Sequence, residues 1–231
     1  MKHKLSSLLL GLSIFIITFS TSYSHTDHNK HFKKIEMDIY RNGEIIGYSN
    51  YVFNSYGDIF EVSNETQFEV KIAGIKLFSV KSISKEKYKN DQLIEFKSET
   101  MQNDKRKFVN LIYDKSNEFF IIDGSSYKGK GDKENIVGNW WNHKILTSNS
   151  QISPLSGSIK QQEVNFISKE ILTINGNNIS VDHFKLKSTD KNLESDKKLD
   201  FDIWYDSKNN VIVKVEYNRL GKWQYILKKI E

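Results

Sequence analysis

Histidines and carboxylates at short spacings are the first places to look for chemistry in this chain. His25, His28 and His31 recur every third residue with Asp27 between them, and imidazoles suit copper or zinc. If a leader is removed after Ser24, the α-amine of His25 joins the set. A metal site, however, needs ligands fixed in place and supported from behind, and no apolar residue anchors this stretch before Phe32. Weak adventitious affinity is expected, and no dedicated metal site. Further on, Asp200, Asp202 and Asp206 alternate along one face with Trp204. Carboxylates about 7 Å apart on a strand beside an aromatic ring are the equipment of sugar hydrolysis. The competing reading is a solvated outer face opposite Phe201, Ile203 and Tyr205. His143 and His183 are the histidines that lie beyond the polar start. His183, in Val181-Asp182-His183-Phe184, reads as a half-buried residue that has its polar partners. For serine chemistry, Leu155-Ser156-Gly157-Ser158 lacks the first glycine of a nucleophile elbow.

Gly124-Ser125-Ser126-Tyr127-Lys128-Gly129-Lys130-Gly131 has the outline of a phosphate-cradling loop. Gly131 replaces the hydroxyl that should reach magnesium, and Asp132-Lys133-Glu134-Asn135 offers no apolar helix behind it. A flexible basic loop is expected and no nucleotide cofactor. The most unusual run is Asn139-Trp140-Trp141-Asn142-His143. In one reading a Trp plugs the open end of a sheet while the amides satisfy the turn. In the other the run is a rim, with aromatic surface for a ligand and amides for its polar head. On the rim reading, replacing both Trp by Ala abolishes ligand binding and spares the fold.

Composition narrows the field. Cys is 0, which excludes disulfides, thiolate metal sites and a lipidated N-terminal cysteine. Aromatics reach 13%, enough for a sizeable core in a chain of 231 residues. Lys2 and Lys4 precede an apolar stretch from Leu5 to Phe19 and a small-residue exit, Ser20-Thr21-Ser22-Tyr23-Ser24. Those are the parts of a secretory signal peptide, and the stretch is short for a membrane span. Residues 1–24 are therefore expected to be a signal peptide and 25–32 a disordered start, with 33–231 a single β domain in the periplasm or outside the cell. The leader carries two lysines and no acid, so the formal charge falls from +5 to +3 after cleavage. Those charges are spread rather than blocked, and no nucleic-acid partner is expected.

The elements that must position these residues are strands. Apolar and polar residues alternate from Phe32 onward, interrupted by Arg41-Asn42-Gly43-Glu44, Ala73-Gly74, Lys89-Asn90-Asp91, Asn175-Gly176 and similar turns. Asn-Gly and Asn/Asp pairs accept the positive φ of tight hairpins. The clearest strand is Ile59 to Ile72, with Phe60, Val62, Phe68, Val70 and Ile72 on one face. At ~3.3 Å per residue it runs roughly 45 Å, long enough to demand a strongly twisted or curled sheet. Asn64 and Thr66 interrupt its apolar face and are expected to line a cavity on the concave wall. In Glu44 to Asn54, Ile45, Tyr51 and Phe53 face one way and Ile46, Tyr48 and Val52 the other. Asp132 to Ser153 does not alternate and is expected to hold a short helical plug. Ser188 to Lys198 reads as a charged loop.

The order of these features resembles a family of exported bacterial proteins known as a domain of unknown function. The resemblance rests on Met37 to Gly47 with its Asn-Gly hairpin, on Trp141-Asn142 with Ile145-Leu146, and on Ile203-Trp204-Tyr205-Asp206 followed by Val211 to Tyr217 and Tyr225. It implies an antiparallel β domain in the periplasm, distantly similar to the curled sheets of lipoprotein carriers, with no catalytic residues to transfer.

The sequence thus predicts an all-β fold, a curled antiparallel meander forming a half-barrel or barrel of ten or more strands with a short helical plug. The leading function is non-enzymatic binding of an apolar or amphipathic envelope molecule: a lipid, an acyl chain or a lipoprotein. The alternative is an envelope scaffold whose barrel is filled by its own side chains, and the third reading is a hydrolase using Asp200 and Asp202 or His183.

Overall fold

The computed structural model describes residues 32–194 and 197–231. The expected signal peptide, its cleavage point and the His25, His28 and His31 group lie outside the described residues. Phe32, expected at the end of a disordered start, packs against the core.

Among the described residues fifteen strands form one sheet. The first eight make an unbroken meander: β1 (Lys34–Arg41), β2 (Glu44–Tyr56), β3 (Ile59–Ile72), β4 (Ile75–Lys89), β5 (Gln92–Gln102), β6 (Lys105–Asp114), β7 (Phe119–Gly124) and β8 (Lys128–Asp132). Two short strands follow, β9 (Ile136–Val137) and β10 (Ser150–Ile152), with a 3-10 helix at His143–Leu146 between them. A second meander closes the chain: β11 (Ile159–Ile174), β12 (Asn177–Ser188), β13 (Asp200–Asp206), β14 (Val211–Asn218) and β15 (Lys222–Ile230). The two meanders join where β15 pairs with β1, and the sheet's edges are β8 and β9. Neighbours are antiparallel except β9 and β10. This is the curled antiparallel sheet with a short helical plug that the sequence predicts, and it is open at its edges.

Turn chemistry accounts for the hairpins. Asn42-Gly43, Ala73-Gly74, Asn90-Asp91, Asn103-Asp104 and Asn175-Gly176 all hold two successive positive φ angles, the conformation that matches the right-handed twist of the strands they join. The longer turns start from aspartate. Asp114 accepts from the N–H of Ser116 and Asn117, and Asp206 does the same for Lys208 and Asn209.

Among the register shifts in the sheet, two show how a bulge rather than alternation decides a face. Ile39 pairs with Gly47 but Tyr40 pairs with Ile45, so Ile46 is an extra residue in β2. The shift turns Ile46 onto the core cluster of Ile39, Phe68 and Trp223 and leaves Ile45 exposed, reversing the expected faces of that pair. A second shift between Trp204 and Tyr205 leaves Val213 unmatched, and Val211, Ile212 and Val213 are all buried in succession. Gly47 sits on β2 directly against the backbone of β3. A Cβ there would fall 2.0 Å from the carbonyl oxygen of Gln67, so Gly47→Ala is expected to lower stability by about 2 kcal/mol or more, read as a reduced urea midpoint.

The curl closes over the segment between β8 and β11. Ser98 donates its hydroxyl to the Pro154 carbonyl, and the Ser126 N–H bonds Ser156 O. The Trp140 N–H reaches the Tyr51 hydroxyl. Residues 136–158 are thereby tied across the concave side of the first meander.

Candidate ligand cleft

Above that plug the concave side is not filled. A cleft of about 910 Å³ remains, bounded by β2–β5 on one side and by Trp140, Phe201, Tyr217, Trp223 and Tyr225 on the other. Its first wall is layered, because strand register places like residues side by side. The lowest row is Phe53, Val62, Glu86 and Phe96, with Phe60 and Tyr88 beneath. Next come Tyr51, Asn64, Ser84 and Ser98, then Ser49, Thr66, Ser82 and Thr100. Above these stand Phe68 and Val80, with Phe78 at the top. Two rows of polar side chains, small except for Tyr51, thus form a belt between a floor that is apolar apart from Glu86 and an apolar upper wall.

The belt is internally bonded. Ser49 and Thr66 hydroxyls lie 2.7 Å apart, as do those of Ser82 and Thr100. Asn64 donates to Ser49 Oγ and to the Asn50 carbonyl while accepting from Thr66. A hydroxyl carries one donor and two acceptor sites, so these pairs retain capacity to bond a molecule in the cleft. The lining also includes Lys107, Lys160, Lys197, Lys198 and Arg219 against Asp200 and the floor's Glu86. Its upper rim is cationic.

Glu86 is the strongest electrostatic feature of the floor. It is 2% exposed and accepts from the Tyr88 hydroxyl, the Trp141 indole N–H at 3.0 Å and the Asn139 amide at 2.8 Å. Burial pushes its carboxyl up to about 7, against the pull of those three donors. One carboxyl therefore joins the meander to the plug.

The residues singled out in the sequence divide. Asn64 and Thr66 do line the cleft, as do Asn139 and Trp140. Trp140 packs edge-on to Phe201 at 5.1 Å. Trp141, expected at a rim, is 1% exposed and sits among Phe53, Phe60 and Tyr88. The backbone bends at this pair, and one Trp faces the cleft while the other plugs the core. Asn142 is buried and caps the 3-10 helix, accepting from the Lys144 N–H. His143 packs at a tilt beside Tyr205 rather than on the cleft. Sequence reading missed Ser49, Ser82 and Ser84, which line the cleft, because the belt exists only once register is known.

Asp202 and His183 face away from the cleft, alternating with its Phe201. His183 lies between two carboxylates, with Nδ1 2.8 Å from Glu170 and Nε2 3.0 Å from Asp202. It stacks on Trp204 at 4.4 Å, whose indole N–H bonds Glu170. Hydrogen bonds from Ser168 and Trp204 hold the Glu170 carboxyl below its ordinary value. Burial opposes ionisation of Asp202, but Lys185 and then His183 outweigh it and hold that carboxyl down as well. Lys185 bridges Asp202 and Asp200. Every member has a structural partner. Among the described residues no group of three or more His, Asp or Glu is placed to hold a metal ion. The glycine-rich run is the β7–β8 hairpin, with Lys128–Asp132 a strand where a phosphate loop would open a helix.

No curated protein matches the sequence. Among solved structures the chain is similar to a beta-barrel-like protein of domain of unknown function DUF1849 from Brucella abortus, with TM-score 0.61, 8% identity and coverage of 86% of this chain and 96% of that one. Two weaker likenesses have TM-scores of 0.35. One is to a protein described as exported with a YmcC-like fold from Bacteroides fragilis, at 14% identity over 86% of this chain and 94% of that one. The other is to a protein described as a lipoprotein from Parabacteroides distasonis, at 13% identity over 87% and 96%. The Brucella likeness concerns the fold alone. The family described as a domain of unknown function, DUF6134, matches residues 37–228, from within the first strand to within the last, and the chain belongs to that family.

Proposed function

We propose that this chain is an exported, non-enzymatic binding protein of the cell envelope that holds one amphipathic molecule, a lipid or acyl chain, in the cleft. The observation that carries the reading is the cleft itself. At about 910 Å³ it falls within the size of ligand sites, and its polar belt lies between two apolar zones. An acyl chain would lie against Phe68, Phe78, Trp223 and Phe201, with its polar linkage at the hydroxyl belt. Export rests on the leader in the sequence. The solid floor of Phe53, Phe60, Tyr88 and Trp141 favours the scaffold alternative for the lower half of the curl only. A hydrolase gains no support: Asp200 stands at the cleft rim in a bridge through Lys185 to Asp202, and Asp202 and His183 lie outside the lining, engaged with neighbours.

The test is purification without detergent followed by solvent extraction and mass spectrometry, with displacement of a fluorescent fatty acid as the second readout. Wild type is expected to yield an amphiphile and to bind the probe. Ser84→Trp places an indole in the middle of the cleft, at a half-buried position, and is expected to weaken probe binding by roughly tenfold or more. Wild-type protein that carries nothing and ignores the probe would sink the proposal.

A further inference from the structure

Antiparallel connectivity puts the turns after β1, β3, β5, β12 and β14 at one end of the sheet, and the cleft opens there. Phe78, Gln102, Lys107, Leu193, Asn218 and Arg219 line its upper part from those ends. The β3–β4 hairpin projects past its neighbours. Its last partner on β2 is Gly47, opposite Phe68, and its last on β5 is Gln102, opposite Val80. Val70 is still buried against Ile39 and Trp223, and Asn103 bonds Ser79, so residues 71–77 form the free end of a two-stranded arm, roughly 10 Å long at ~3.3 Å per residue. Such an arm should be polar. This one exposes Ile72, Ile75 at 67% and Leu77.

Two neighbouring tips share the character. Leu220, in the β14–β15 turn, is 90% exposed, and Ile45 beside the β1–β2 turn is exposed as well. These two turns are fastened together: the Lys222 N–H bonds Asn42 Oδ1, and Arg41 reaches the Leu220 carbonyl. Charge is segregated in the same sense. The tips at 41–45, 69–77, 101–107 and 219–222 hold eight Lys or Arg against three acidic residues, and the 189–199 loop beside them is balanced. The turns at the opposite end, 56–59, 89–91, 114–119, 132–135, 175–177 and 206–210, hold four Lys against seven acidic residues. Lys71 pairs with Glu69, which the tally includes, while Lys222 pairs with Glu216 and Arg106 with Glu99, which stand on the strands below the tips.

We propose that the tips of the β1–β2, β3–β4 and β14–β15 hairpins are a membrane-docking edge that seats the mouth of the cleft on an anionic phospholipid surface. Isolated apolar side chains entering the acyl boundary, with Lys and Arg at headgroup level, are the recognised means by which a soluble domain holds to such a surface. The occupant is a bilayer because the apolar residues stand at the points of separate projecting turns, ringed by cations, and not on one flat patch. Docking does not depend on what the cleft carries.

Protein recovered after export is sedimented with vesicles of phosphatidylethanolamine and phosphatidylglycerol, or with phosphatidylcholine alone. Wild type is expected to prefer the anionic vesicles, with a preference that fades as salt is raised. Ile72→Ser/Ile75→Ser/Leu77→Ser is expected to weaken binding to the anionic vesicles by roughly tenfold or more, and Lys71→Gln/Lys76→Gln by roughly tenfold. A leader that remains attached adds binding that these substitutions leave unchanged. Leu220→Ser, on a separate turn, repeats the test should the triple variant alter the arm. Ser84→Trp is expected to bind vesicles as wild type does, which separates this edge from the cleft. Equal binding to both vesicle types, or serine variants that bind like wild type, would overturn the proposal.

Discussion

Trp141→Ala is expected to lower the unfolding free energy by about 3–5 kcal/mol, the range for removing a fully packed aromatic side chain. Three rings surround this indole, with centroids 5.6 Å (Phe53), 6.2 Å (Phe60) and 5.7 Å (Tyr88) away, each edge-on. Edge-to-face pairs add to the burial of area, so the cavity left behind is lined by faces that cannot all close on it. The substitution also deprives the buried Glu86 of one of its three donors, and a buried acceptor that loses a partner costs more than the bond was worth. Urea titration reads the outcome as a lower midpoint with an unchanged slope. Trp140→Ala removes a half-buried ring from the cleft wall and is expected to cost much less while weakening probe binding. The two adjacent tryptophans are thus expected to separate stability from binding, and the double substitution, expected from sequence to spare the fold, is expected to destabilise it. A Trp141→Ala protein as stable as wild type would show that the plug does not hold the curl.

The contrast between these neighbours shows what kind of information the sequence carries. Period-two alternation gave β3 its correct limits, Ile59 to Ile72, although Ile72, expected on the inner face, lies past a register shift and is exposed. Asn-Gly and Asn/Asp pairs located the hairpins because positive φ is a demand on the residue itself. Ile45 and Ile46 exchanged faces because one extra residue in β2 reverses alternation, and a bulge leaves no mark in the composition around it. Asn64 and Thr66 were visible as interruptions in an apolar face. Their partners Ser49, Ser82 and Thr100 were not, since each sits in its own strand among ordinary polar residues and becomes part of a belt only through register. Glu86 was the least legible. Lys85-Glu86-Lys87 reads as solvated charge, yet Glu86 shares a face with Ser82, Ser84 and Tyr88, all of which point inward. Strand parity predicts that direction once the inner face is known, but not the tryptophan and asparagine that meet the carboxyl from a segment more than fifty residues away.

That carboxyl should make the protein's stability depend on pH in an unusual direction. Glu86 titrates at an ordinary 4.5 when unfolded and at about 7 when folded. Between those values the folded state holds a proton that the unfolded state has released, so raising the pH favours unfolding. The contribution is full below about 4.5, falls through the interval and is gone above about 7, a change of about 3 kcal/mol at 1.36 kcal/mol per pH unit. Asp202 and Glu216 act oppositely: burial resists their ionisation, but neighbouring lysines (with His183 for Asp202) hold both below the ordinary value. Their stabilising effect is lost as pH falls through the acid range, below the window in which Glu86 titrates. Glu86→Gln isolates the effect. The amide oxygen still accepts from Trp141 and Asn139, and the amide nitrogen can donate to the Tyr88 oxygen, so the variant keeps the contacts and removes the proton. Wild type is expected to lose about 3 kcal/mol relative to Glu86→Gln between pH 4.5 and 7, with both measured by urea titration across the range. If the difference between the two proteins stays constant with pH, the carboxyl is not the buried acid described here. If it follows the predicted slope, the bond between meander and plug weakens toward neutral and alkaline pH, and the cleft floor rests on a single titrating group.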